Sequence, residues 1–167
     1  TFDGVNIYGA AGMGFVAAGG ANHFQFLNTT VGLNPEYAAT RRVSVTADAL
    51  HIADSGGCFR VENCDFSFMG DDGINIHDNI GCVSDVTDSK TLLVQGWMAA
   101  AILPGDVLAF KNSDFETLDF TSAAVSVSPA GGGLYTVTLN DSIPEAVKKG
   151  GMIYNTAHFS GNYVIRG

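Results

Sequence analysis

The chain has 167 residues, of which 46% are hydrophobic and only 15% charged, and it carries a net charge of −9. That is core material enough for one domain or two small ones. The acidic balance excludes nucleic acid and anionic lipid as main partners, because a polyanion is bound by a basic surface, and no apolar run is long enough to span a bilayer, so no membrane insertion is expected.

Residue 1 is not Met, and a strand-like run, "FDGVNI", begins at once. The sequence therefore reads as a piece of a longer protein, and the lack of a leader says nothing about compartment. In chain order, "GVNIYG", "NHFQFLN", "RRVSVTA", "ALHIAD", "CFRVENCDFSFMG" and "GINIHDN" each alternate apolar and polar side chains with period two, as half-buried strands do. Glycine, Asn and Asp interrupt them at short intervals. "TADALHIADS" lies over "GDDGINIHDN" when Asp48 is matched to Asp72, so Leu50 meets Ile74, His51 meets Asn75 and Ile52 meets Ile76. An offset of 24 built from short strands and polar turns predicts stacked turns of a right-handed parallel β-helix. The competing reading is two unrelated strands of an ordinary sandwich.

After residue 80 the texture changes. "CVSDVTDSKTLLVQGW" is a hairpin pattern with Asp88, Ser89 and Lys90 at its tip, followed by the strand-like "GDVLAFKN", "AAVSVSPAGGGLYTVTL" and "MIYNT". One helical turn is expected in "DSIPEAVKKGG", and Trp97 is expected in the core of this part. From residue 158 the earlier rhythm returns, residues 162–167 matching residues 58–63. The predicted organisation is all-β: β-helix at 1–80, an inserted small antiparallel barrel or sandwich at 81–157, and a return to the β-helix at 158–167. Cys58, Cys64 and Cys82 lack C-x-x-C spacing and read as small buried apolar side chains.

The segment "MGDDGINIHDN" carries the chemistry. Strands on successive turns of a β-helix stack about 4.8 Å apart, so the offset brings Asp48 to Asp72, with Asp71 beside it, on one patch of the outer face. Like charges that close disfavour full ionisation, and a carboxylic acid beside a carboxylate is what glycoside hydrolysis needs: one group protonates the leaving oxygen, the other holds a water or attacks. Consecutive strand residues face opposite ways, so Asp71 and Asp72 serve one site only if the backbone turns, which Gly70 and Gly73 permit. His51, Asn75 and His77 are candidate sugar-binding residues. Arg41 and Arg42 either reach the sugar or offset the acids, and Asp54, Glu62, Asp65 and Asp78 read as turn or solvated residues. Two plainer readings compete: "GDDG" as an acidic turn, and the three carboxylates as a calcium site.

Residues 44–77, "SVTADALHIADSGGCFRVENCDFSFMGDDGINIH", resemble the α-1,3-galactosidases acting on blood-group-B-type sugars. The resemblance rests on the "TAD" element, the "VENCDF" segment and "MGDDGINIH" in that order. It implies a parallel β-helix with a small barrel inserted after the last element, and an inverting, exo-acting galactosidase that needs no metal. The family's acids fall on Asp48, Asp71 and Asp72, and a more distant likeness to polygalacturonases suggests that one of Asp71 and Asp72 is the acid. Ala49 departs from the family's usual glycine after the first Asp, and the family is several times longer. The function expected is therefore an α-galactosidase-like glycoside hydrolase with a carbohydrate partner and no cofactor or metal, in an extracellular or cell-surface protein. The open ends of the β-helix, with unpaired strand edges, are expected to favour self-association. The alternatives are a non-catalytic glycan-binding or structural β-helix module and a calcium-assisted polysaccharide lyase.

Overall fold

The computed structural model describes residues 1–167. The chain is all-β apart from one five-residue helix, and no helix is long and apolar enough to cross a membrane. It divides into two compact units: Thr1–Asp78 with His158–Gly167, and Asn79–Ala157.

The first unit opens with nine short strands: β1 (Phe2–Asp3), β2 (Asn6–Ile7), β3 (Phe15–Ala18), β4 (Gln25–Leu27), β5 (Thr30–Val31), β6 (Leu50–Ala53), β7 (Phe59–Glu62), β8 (Asp65–Phe66) and β9 (Ile74–His77). They form three parallel sheets, β1-β4-β7, β2-β5-β8 and β3-β6-β9, which the chain visits in rotation. The β6–β9 register pairs Leu50 with Ile74, His51 with Asn75 and Ile52 with Ile76, the pairing that the 24-residue offset predicts. Phe2 opposite Phe26 and Asn6 opposite Thr30 repeat that offset. The offset lengthens to 35 wherever the loop at residues 33–43 is crossed: between the second and third strands of β1-β4-β7, as in Phe26 opposite Val61, and between the first and second of β3-β6-β9, as in Phe15 opposite Leu50.

The corners of this repeat have their own chemistry. His23 and Cys58 precede β4 and β7 with φ of 51° and 54°, and Asn28 and Asn63 follow the same strands with φ of 49° and 53°. Asparagine enters this left-handed region at the least cost after glycine. Asn28 Nδ2 donates to Asp3 Oδ1 (2.8 Å), and Asn63 Nδ2 reaches Asn28 Oδ1 (3.4 Å), so the corner residues bond in a column. Inside, Leu50, Ile52, Phe26, Phe59 and Val61 form one buried cluster, and Val31, Val45 and Ala49 a second. Burying each large side chain contributes roughly 1.5–3 kcal/mol.

The second unit is a closed antiparallel barrel of β10 (Gly81–Val86), β11 (Thr91–Gln95), β12 (Val107–Lys111), β13 (Thr117–Gly131), β14 (Leu134–Leu139) and β15 (Met152–Asn155), in the order β10-β11-β14-β13-β12-β15. Its core holds Leu92, Val94, Leu108, Phe110, Val137 and Ile153. The helix α1 (Trp97–Ala101) lies between β11 and β12, not in "DSIPEAVKKGG". There Val147 N donates to Pro144 O and Gly151 N to Lys148 O, two separate turns and no helix. Three consecutive alanines make the WMAAA segment the better helix former.

The chain then returns to the first unit through β16 (Tyr163–Arg166), parallel to β7 with Tyr163 opposite Phe59 and Arg166 opposite Glu62. Asn162 repeats the left-handed corner of Cys58, with φ of 53°. Phe59 stacks between Phe24 (centroids 5.0 Å) and Tyr163 (4.9 Å), tying β16 to its neighbours.

None of the cysteines is buried: Cys58 and Cys82 are exposed and Cys64 is intermediate. Strand alternation explains Cys82, which points outward between buried Gly81 and Val83. Trp97 is likewise not core but 88% exposed, while the adjacent Met98 and Ala99 take the inward positions.

Candidate active site

The site lies where the chain enters β6 and β9. The Asp48–Ala49 backbone is sandwiched between two neighbours: Gly14 N and Phe15 N donate to Asp48 O and Ala49 O (both 2.9 Å), while Ala49 N donates to Asp72 O (2.9 Å) and Leu50 N to Gly73 O (3.2 Å). Asp72 is thereby stacked on Asp48. Ala49, the departure from the expected glycine, places its methyl fully buried with Val31 and Val45.

Asp71 and Asp72 sit in the loop that precedes β9. The flanking glycines do not act as expected, since neither has positive φ. Gly70 is needed for close approach: a Cβ there would lie 2.6 Å from Thr46 O, and its N–H donates to Val45 O (2.9 Å). A Cβ on Gly73 would meet only the tip of Met69, at 3.4 Å.

One carboxylate oxygen from each of Asp48, Asp71 and Asp72 lies within 4.8 Å of the others. Their environments differ. Asp71 and Asp72 are exposed, whereas Asp48 is only 3% exposed, the covered member of the cluster. Both Asp48 oxygens are held: Oδ2 accepts from His51 Nδ1 (2.6 Å) and Oδ1 from the Asp72 backbone N–H (3.3 Å). Asp72 Oδ2 accepts from Asn75 Nδ2 (3.2 Å).

The chain of contacts runs on. His51 Nε2 lies 3.1 Å from His77 Nε2, with the two rings edge to face. His51 Nδ1 faces the Asp48 carboxylate and one of the two Nε2 atoms donates to the other, so the His51 ring links Asp48 to His77. Both ring nitrogens of His51 are thus spent within the protein. His51 therefore holds Asp48 on one side and His77 on the other. His77 keeps Nδ1 outside this pair, and Asn75 keeps part of its amide.

Other residues resolve into structural roles. Arg41 donates to Val43 O (2.8 Å) and Ser44 O (3.3 Å), bracing the loop before β6, so it is spent away from the acids. Glu62 is no solvated turn residue. Arg166 and Arg60 both donate to its Oε2, and these bonds, Arg166 first, hold its carboxyl below the usual range. Asp78 accepts the backbone N–H of Ser160. A hard cation takes six to eight oxygen ligands; the three aspartates are the residues able to supply some of them.

An all-β chain with three converging carboxylates, one buried and two open, has the donor set for acid–base chemistry or cation binding. No family model matches the chain. It is similar to an α-1,3-galactosidase B of Akkermansia muciniphila, 29% identical over 125 residues, or 72% of this chain and 16% of that protein. It is also similar to an α-1,3-galactosidase A of Shewanella woodyi, 34% identical over 62 residues, or 37% of this chain and 10% of that protein. The chain thus matches only a small part of the length of these relatives, and the kinship is distant.

Proposed function

We propose that the chain carries catalytic residues of a glycoside hydrolase that removes a terminal α-linked galactose. The observation that carries this reading is the convergence of Asp48, Asp71 and Asp72 to within 4.8 Å. The distant similarity to two α-1,3-galactosidases supports the substrate class. In this reading the first unit is a stretch of right-handed parallel β-helix, the second its inserted barrel, and the protein acts outside the cell or on its surface.

The roles follow from exposure and bonding. Asp48, buried and gripped by two donors, is the fixed member of the three. An ionised carboxylate has about four acceptor positions, so with two taken it can still orient a water. One of the open pair, Asp71 or Asp72, protonates the glycosidic oxygen as its bond to the anomeric carbon breaks, and the other takes the proton of the attacking water that Asp48 helps to orient. Inversion of the anomeric centre is taken from the resemblance to the α-1,3-galactosidases and not from the spacing of the carboxylates. Asn75 and His77 contact sugar hydroxyls, while His51 acts through Asp48.

The lyase alternative needs a base facing the acids. Arg41 and Arg166 are engaged elsewhere, and the exposed Arg42 makes no bond to the acids, so no contact in the geometry favours it. The test is hydrolysis of a panel of aryl α- and β-glycosides by the protein carrying this chain, with and without chelator. Chelator-insensitive cleavage of the α-galactoside supports the proposal. Cleavage of no glycoside by folded protein contradicts it and returns the aspartates to a structural role.

A further inference from the structure

We propose that the barrel carries a second binding site, separate from the aspartates, in which Trp97 forms a platform for one neutral sugar ring. The indole is the chain's only tryptophan and is 88% exposed, whereas its helix neighbours Met98 and Ala99 are buried in the barrel core. Tryptophan ordinarily buries most of its large apolar surface, so an indole held out in water offers a face to a ligand.

That face borders a cavity of about 350 Å³ lined by Gln95, Gly96, Trp97, Ala100, Gly133 and Tyr135. Its position is built in. Gly96, with φ of +130°, turns the chain from β11 into α1, and a Cβ there would lie 3.0 Å from Ile80 O. Across the cavity Gly133, with φ of +78°, leaves its Cβ position open, with nothing within 4 Å.

The lining selects the occupant by chemistry. None of the six residues is charged, although the chain as a whole carries −9. An ion would find no counter-charge, and a nucleic acid strand would be repelled. What remains is a flat aromatic face with a planar amide, which both donates and accepts, and a phenol hydroxyl. A pyranose is the complementary object: apolar C–H groups on one face for the indole, neutral hydroxyls on its rim for Gln95 and Tyr135. A cavity of this size is at the small end of ligand sites, suited to a single ring. The choice of a sugar rests on the glycosidase reading; the site rests on Trp97 and its cavity.

Trp97 is the only tryptophan of this chain, and in the protein carrying it the emission of this site is isolated as the difference between the wild type and Trp97→Ala. The experiment titrates methyl α-galactopyranoside and methyl α-glucopyranoside into the protein, following emission, with saturation-transfer NMR on the wild type and on Trp97→Ala and Gln95→Ala. Expected are a saturable change in emission with half-saturation at about 1–10 mM, as suits a small ligand with few contacts, transfer lost in Trp97→Ala, and weakening in Gln95→Ala. Emission unmoved by either sugar overturns the proposal. So does an emission shift that follows protein concentration without sugar, which would mean that a second copy covers the indole. A response at Trp97 without glycoside hydrolysis retains this site and removes the glycosidase reading; hydrolysis with a silent Trp97 does the reverse.

Discussion

Asp48 and His51 should be strongly coupled, and the coupling can be measured without any substrate. Their bond is 2.6 Å long and Asp48 is 3% exposed, so water screens it little. A hydrogen bond to a charged partner contributes about 1.5–3 kcal/mol. In His51→Ala, Asp48 keeps only the Asp72 N–H at 3.3 Å. In Asp48→Asn, the neutral amide keeps the shape but loses the charge. A cycle of the two single variants and the double variant should therefore give a coupling energy of about 1.5–3 kcal/mol. The readout is hydrogen exchange at the amides of Asp72, Ala49 and Leu50, which join the two turns at the site. Exchange there should accelerate roughly tenfold to a hundredfold in His51→Ala. The barrel amides of Phe110 and Val137 serve as controls and should not change. A coupling below about 0.5 kcal/mol, the scale of ordinary additivity error, would refute the reasoning that His51 holds Asp48.

Two further predictions rest on local geometry. The carboxyl of Glu62 is lowered by Arg166 and Arg60 from an ordinary value of 4.5, so its contribution to stability is fully present above that value and is lost as pH falls through the lowered one; amides of β7 and β16 should lose excess protection on acidification, and Glu62→Gln should abolish that dependence. Gly70→Ala drives a Cβ against the Thr46 carbonyl, displacing the acid pair, and a displacement of about 1 Å can cost on the order of 10²-fold in rate; Gly73→Ala, which meets only the flexible end of Met69, should retain activity, so equal activity of both variants would contradict the close-approach argument.

The parts of the fold legible in the sequence are those where one repeat follows another without interruption. "TADALHIADS" and "GDDGINIHDN" announce the β6–β9 register because 24 residues separate them and both strands are four residues long. Strands β1, β2, β5 and β8 have two residues each, too short for alternation to show, and the loop at residues 33–43 breaks the period to 35. The convergence of Asp48 with Asp71 and Asp72 was readable from that same offset. The burial of Asp48 was not, because it depends on how the Asp48–Ala49 backbone is sandwiched between Gly14 and Asp72. The His51–His77 contact is diagonal across the ladder, His51 standing opposite Asn75 and not His77, so a same-position comparison overlooks it. Trp97 was misread because tryptophan composition favours the core, while the outcome depends on which side of a five-residue helix meets the barrel.

The central claim is that the clustered aspartates do the chemistry. Its most direct test compares hydrolysis of an aryl α-galactoside by the protein carrying this chain with hydrolysis by its Asp72→Asn variant, with exchange protection of β6 and β9 measured in both. Loss of a general acid or base costs about 10²–10⁴-fold. A fall of that size with unchanged protection is the predicted result. An Asp72→Asn variant that cleaves the α-galactoside as fast as the wild type would contradict the account.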